Sequence, residues 1–163
     1  MFIPEYTITA KTLKNIANAE YAKAIIENTA VLPSMEKQLF KDTKVRRIVN
    51  NLLLNKINTQ EKEIKRYVDG IAKPTDQHVI NISNCLTYIS ENIRIIEIDE
   101  EFLKTLHKMI TAVILPENKQ GTYRSKPLAG KTDPEILLAQ IVEIFDWYQS
   151  IDSKSTHPII IAA

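Results

Sequence analysis

Three glycines in 163 residues, Gly70, Gly121 and Gly130, constrain this chain more than any other feature. A loop that cradles phosphate brings backbone N–H groups up to the anion through several closely spaced glycines. Here Gly121 and Gly130 stand nine residues apart and Gly70 stands alone, so neither a dinucleotide fingerprint nor a nucleoside-triphosphate loop is present. Hairpin-rich β proteins also use glycine heavily in their turns. So few glycines point to helices throughout.

The length is that of one domain, and we expect a single helical domain over residues 1–163. Apolar residues make up 44% and charged residues 25%, the ordinary balance of a soluble globular protein rather than a disordered one. Twenty-one Lys and Arg against twenty Asp and Glu leave +1, so no global field selects nucleic acid or an acidic membrane. Cys85 is the one cysteine, which excludes an internal disulfide framework or a multi-cysteine zinc site and fits a reducing compartment. The start, Met1-Phe2-Ile3-Pro4, lacks the basic end and apolar run of a secretory signal. No stretch reaches the roughly 18 apolar residues of a membrane span. A cytoplasmic location is the expectation.

Helical periodicity runs through almost every segment. A first helix is expected after Thr9, with Leu13, Ala17, Tyr21, Ala24 and Ile25 on its buried stripe. Pro33-Ser34 opens a short helix carrying Met35, Leu39 and Phe40, and Asp42 or Thr43 recaps the chain before the clearest stripe. That stripe is Val45, Ile48, Val49, Leu52 and Leu53, at core-facing spacing. Asn58-Thr59 caps a helix with Ile64, Tyr67 and Val68 inward and Gly70 at its end, where a left-handed residue costs least. Pro74-Thr75 opens the next, with Val79, Ile82, Leu86, Ile89 and Ile93 on one face. Residues 93–98 read as a link rather than a strand. Asp99 caps a helix with Phe102, Leu103, Leu106, Ile110, Val113 and Ile114, ended by Pro116. Asp133-Pro134-Glu135 is a strong start signal for a helix striped by Leu137, Ile141, Ile144, Phe145 and Tyr148.

Between these last two helices lies the one long irregular segment, Pro116 to Thr132, longer than most helix–helix connections and of the kind that carries function. The chain closes on His157-Pro158 and an apolar run, which reads as a helix begun and cut off. We therefore expect a fragment or truncated product.

The order of these pieces resembles the Fic family. The resemblance starts at Ile8-Thr9-Ala10-Lys11-Thr12-Leu13 and continues through Val45–Thr59 to Asp69-Gly70. Its more specific part is the series Leu106-His107, Gly121-Thr122-Tyr123-Arg124, Pro134-Glu135, Trp147-Tyr148 and His157-Pro158. The resemblance implies an all-α, Fic-like bundle of six to seven helices, with one long loop or a short β-hairpin flap near 116–132. It also implies kinship with enzymes that transfer AMP from ATP to a hydroxyl of a target protein. Their chemistry sits in a His-Pro-Phe-x-Asp-Gly-Asn-Gly-Arg motif, where histidine is the general base, an acid holds magnesium and the glycines hold phosphate. These 163 residues do not include that motif, in accord with the glycine count, so the chain alone is expected to be catalytically inactive. ATP and magnesium are expected as cofactors only of a complete core.

The same resemblance implies two further features. The family's flap docks the target main chain by adding a strand, which needs an exposed backbone edge, and Gly121, Thr122, Tyr123, Arg124, Ser125 and Lys126 match its beginning. An inhibitory helix motif, Ser/Thr-x-x-x-Glu-Gly/Asn, corresponds to Asn51, Asn55 and Lys56. Asn55 occupies the glutamate position and cannot form the inhibitory ion pair.

The bland readings are a core helix around Leu52, a hydrogen-bonded His107, a helix anchor at Trp147 and a dipole-satisfying Glu100-Glu101. His78, His107 and His157 are too scattered for a metal site. Residues 36–73 hold ten Lys and Arg against five Asp and Glu, which feeds an alternative, a DNA-binding helix-turn-helix over 59–86. Against it, Lys65 stands where close helix crossing favours alanine, and residues 75–86 are poor in phosphate-reaching cations. Nucleic acid is thus the weaker expectation. A helical protein-interaction module is the third alternative, and an exposed apolar surface would allow a homo-oligomer.

Overall fold

Val45, Ile48 and Leu52 fall on one face of a helix and form the centre of the core. The computed structural model describes residues 4–74, 76–150 and 154–162. Among them are seven α-helices, one 3-10 turn and no strand. The helices are α1 (Ala10–Asn28), α2 (Pro33–Leu54), α3 (Glu61–Val68), α4 (Gln77–Asn92), α5 (Glu100–Thr111), α6 (Pro134–Gln149) and α7 (Pro158–Ile161). The protein is all-α. No helix among the described residues is long and apolar enough to cross a membrane. Its contacts gather into two compact units, Pro33–Glu135 and Met1–Leu32 with Ile136–Ala163.

Pro33–Glu135 holds every buried residue among those described. Val45, Ile48 and Leu52 from α2 pack with Ile64 from α3 and with Val79 and Ile82 from α4, and Val49, Ile57, Tyr67, Val68 and Leu86 close around them. Helix α2 lies against α3 and α4, and α4 against α5. The apolar face of α2 follows the expected stripe except at Leu53, which is exposed. Helix α2 is also one continuous helix and not two. Asp42 is not a cap: its Oδ1 accepts from Gln38 Nε2 at 3.0 Å, one turn back. With no glycine or proline after Pro33, nothing there breaks the backbone.

Two helix ends in this unit share one geometry. The Gly70 N–H donates to the Tyr67 carbonyl and the Ile71 N–H to Arg66, the paired bonds of a Schellman end, with Gly70 left-handed at φ 76° as expected. At the end of α2 the Lys56 N–H donates to Leu53 and the Ile57 N–H to Leu52 in the same way. Here the left-handed residue is Lys56, at φ 59°. A side chain makes that conformation costly, and the packing of Ile57 against the core holds it there.

Helix α4 starts at Asp76, whose Oδ1 accepts the His78 N–H at 2.8 Å. Thr75, expected to open this helix, lies outside the described residues. Asn81 is buried in its middle, although nothing in the helical pattern marks it as a core position. Its Nδ2 donates at 2.8 Å to both the Ile110 and Ala112 carbonyls, and its Oδ1 accepts from Gln77 Nε2 at 2.8 Å. Those carbonyls belong to the last turn and cap of α5, which lack helical partners. Helix α5 accordingly ends at Thr111, five residues before Pro116. Residues 93–98 form a turn and link, with no strand.

In the other unit, α1 is capped by the Thr9 hydroxyl, which accepts the Thr12 N–H at 3.1 Å. The stripe expected to be buried is not: Leu13 is 58% exposed and Tyr21 70%, and no residue of α1 is buried. On α6, Leu137, Ile141, Phe145 and Tyr148 are half-buried while Ile144 is exposed. The Asp133 carboxylate accepts the Glu135 N–H at 3.0 Å, the start expected of α6. His157 caps α7 through Nδ1, which accepts the Ile159 N–H at 3.2 Å, while Nε2 lies 3.2 Å from Glu20 Oε1.

Candidate functional site

The residues singled out at 121–126 emerge from a turn built on α5. After Pro116 the chain makes a short 3-10 turn, Glu117–Lys119, and reaches Gly121 at φ 68°. The Gly121 N–H donates to His107 Nδ1 at 2.9 Å, the hydrogen-bonded role expected of that histidine. An accepting Nδ1 places the ring proton of neutral His107 on Nε2. A Cβ on Gly121 would lie 3.1 Å from the Lys104 carbonyl oxygen and 3.4 Å from Lys108 Cβ. Glycine is thus required twice here, by the left-handed backbone and by the close approach to α5.

Beyond Gly121, Tyr123 lies against the same helix. Glu100 and Lys104, one turn apart on α5, pair at 2.6 Å, and Lys104 Nζ sits 5.4 Å from the centre of the Tyr123 ring. The sequence signals for this are an i,i+4 acid–base pair and an aromatic in the facing loop. Hydrogen bonding to Glu100 pushes the Lys104 ammonium above its ordinary range. Burial pushes the Tyr123 phenol upward, and the Glu100 carboxylate adds to the rise while Lys104 opposes it. The Tyr123 hydroxyl is shielded from solvent, with the Glu100 carboxylate as its polar neighbour.

Arg124 is the least satisfied residue of the group. Its Nε and Nη2 are both shielded from solvent and neither finds an acceptor. Thr122, Ser125 and Lys126 are exposed. Residues 121–132 form a long loop, with no strand among the described residues. Among those residues no backbone–backbone hydrogen bond involves 122–127, and the first such bond beyond them is Lys131 N–H to the Leu128 carbonyl, at 3.0 Å. The loop is therefore fixed at its root and free of backbone partners over 122–127.

Comparison with protein-family models, with curated proteins and with solved structures finds no match.

The second set of singled-out residues lies at the end of α2. Asn51 Nδ2 donates to the Arg47 carbonyl and Asn55 Nδ2 to the Asn51 carbonyl, each at 2.8 Å, so both amides fold back onto their own helix. Lys56 follows in its left-handed conformation. No hydrogen bond or ion pair joins this set to 121–126.

The region 59–86 forms α3 and α4, separated by residues 69–76. That connection is about twice the three or four residues of a helix-turn-helix. Helix α4 carries no Lys or Arg at all. Trp147 lines an open groove with Pro4, Glu5, Tyr6, Thr7 and Thr156, where the Tyr6 and Thr156 hydroxyls lie 3.3 Å apart. Among the described residues no cluster of three His, Cys, Asp or Glu could hold a metal ion. Nor does the 121–126 site pair a nucleophile with a base. What it presents is a loop bearing Arg124 and Lys126 whose backbone groups over 122–127 have no backbone partners.

Proposed function

We propose that this chain is the helical docking part of a Fic-family protein AMP transferase, and that Gly121–Lys126 receives an extended segment of the target protein. The supporting observation is the contrast within that loop: Gly121 is tied to His107 at 2.9 Å, while Thr122–Pro127 keep their backbone groups free of backbone partners. Strand addition needs an edge held in place with its N–H and C=O groups unspent. The left-handed Lys56 gives further support, since it falls where the family's inhibitory motif has glycine or asparagine, the residues best suited to that conformation. In this reading the chain binds and positions the target, and the residues that handle ATP are supplied by the family's catalytic motif.

The test is to express the whole open reading frame that carries these residues and incubate it with α-labelled ATP and a cell lysate. Label is expected on a protein hydroxyl, and S125P, which removes one N–H from the edge, should reduce it at least tenfold. Absence of label from the whole product, or label indifferent to S125P, would refute the proposal.

A further inference from the structure

The guanidinium of Arg124 presents two edges, and one of them is anomalous. Nε–H and the adjacent Nη2–H lie on the same side of the planar group and point in parallel, the fork that matches the two oxygens of a carboxylate. In this protein both atoms are covered and neither has an acceptor. Arg124 as a whole is half-buried, but a covered donor without a partner is unfavourable, and buried donors of native proteins are almost always satisfied. No described residue supplies the acceptor that this edge is shaped for.

We propose that Arg124 is the receptor for a single carboxylate, carried by an acidic side chain of a polypeptide laid along residues 121–126. The polypeptide half of this statement rests on the docking role given above; the anion site rests on Arg124 alone. Charge favours an acidic occupant, because residues 116–133 carry Lys119, Arg124, Lys126 and Lys131 against Glu117 and Asp133. Asp133 is already engaged in capping α6. A carboxylate fits better than a phosphate: one negative charge neutralises one guanidinium, whereas a dianion would bring an unpaired charge into a covered site. Entry is straightforward, since no backbone–backbone hydrogen bond in 122–127 has to break for the segment to yield. Gly121 stays anchored on α5 meanwhile and keeps the edge in register.

The experiment compares two labelled, end-blocked hexapeptides, Thr-Val-Glu-Val-Thr-Val and the same peptide with Gln in place of Glu, binding to the full chain by fluorescence anisotropy. The Glu peptide is expected to bind at least tenfold more tightly. R124A should bring the ratio to about one. R124K keeps the charge but loses the fork, and should retain no more than a threefold preference. A second readout is the Arg124 Nε–H resonance, which should move on adding the Glu peptide or sodium acetate and stay still with the Gln peptide. Equal affinity of the two peptides, or a preference that survives R124A, would overturn the proposal. So would an Nε–H resonance indifferent to acetate. Acetate moving that resonance while neither peptide binds would leave the carboxylate site standing and remove the docking role instead.

Discussion

Helices α1 and α2 both carry apolar residues at helical spacing, yet their fates differ. On α2, Val45, Ile48 and Leu52 meet Ile64 from α3 and Val79 and Ile82 from α4, and Ile48 is wholly enclosed. On α1, Leu13, Tyr21 and Ile25 remain exposed. The contrast teaches that a stripe specifies a face but not a partner. Burial needs a second element arriving at the right distance. Lys44, whose Nζ donates to Thr87 Oγ1 at 3.0 Å, and Lys41, which pairs with Asp69 at 3.0 Å, help to fix such elements around α2.

The sharpest way to break this comparison is to truncate one residue on each helix. Ile48→Ala should cost about 3 kcal/mol in urea unfolding, the usual loss for emptying a filled core site. Leu13→Ala should stay within about 0.5 kcal/mol, as for exposed positions. Equal losses would mean that α1 has a core of its own in solution.

Next in size is Gly121→Ala, which forces a side chain into a left-handed position costing about 1–2 kcal/mol and drives Cβ to 3.1 Å from the Lys104 carbonyl. A fall of about 2 kcal/mol in thermal unfolding is expected. Gly130→Ala, also left-handed but with nothing within 4 Å of the added Cβ, should cost less. If the two cost the same, the seat of Gly121 on α5 contributes nothing.

Val113 sharpens the comparison from the opposite side. It is a β-branched residue at φ 65° and 81% exposed, just past the end of α5. Val113→Gly removes that strain and little packing, so it should stabilise the chain by about 1 kcal/mol; a raised melting temperature is the readout.

The smallest effect is set by pH. Cys85 is buried, and burial raises its thiol above the ordinary 9.0. Between 9.0 and that raised value the folded chain holds a proton that the unfolded chain has released, so stability falls as pH rises through this window. Below 9.0 the contribution is fully present. Tyr123, raised from 10.0, repeats the pattern higher up. Cys85→Ala should therefore delay the onset of alkaline weakening from about pH 9 to about pH 10, followed by the melting temperature in steps of pH. An unchanged onset would show that the thiol is hydrated in the folded chain.

Much of Pro33–Glu135 was legible because its core obeys simple periodicity. Val45, Ile48 and Leu52, then Ile64, then Val79 and Ile82, fall where spacing places them, and Gly70 and Asp99 punctuate the helices as expected. The failures have physical causes. Asp42 looked like a cap because acids favour helix starts, but an unbroken backbone and a bond to Gln38 keep it inside α2. The left-handed turns at Lys56 and Val113 were invisible because neither position carries the glycine that would announce them. Gly121, Tyr123 and Arg124 could be singled out in the loop. The seat of Gly121 and Tyr123 on α5 could not, because it depends on which helix face the returning chain meets. Asn81 gave no signal at all: an asparagine within a helix is read as a solvent-facing residue unless its acceptors are known.

That asparagine has a mechanical consequence. One amide nitrogen grips the carbonyls of Ile110 and Ala112 at once, so the point from which the chain departs toward Gly121 is clamped to the interior of α4. Loss of that one side chain would strip two α5 carbonyls of their partner in a single step.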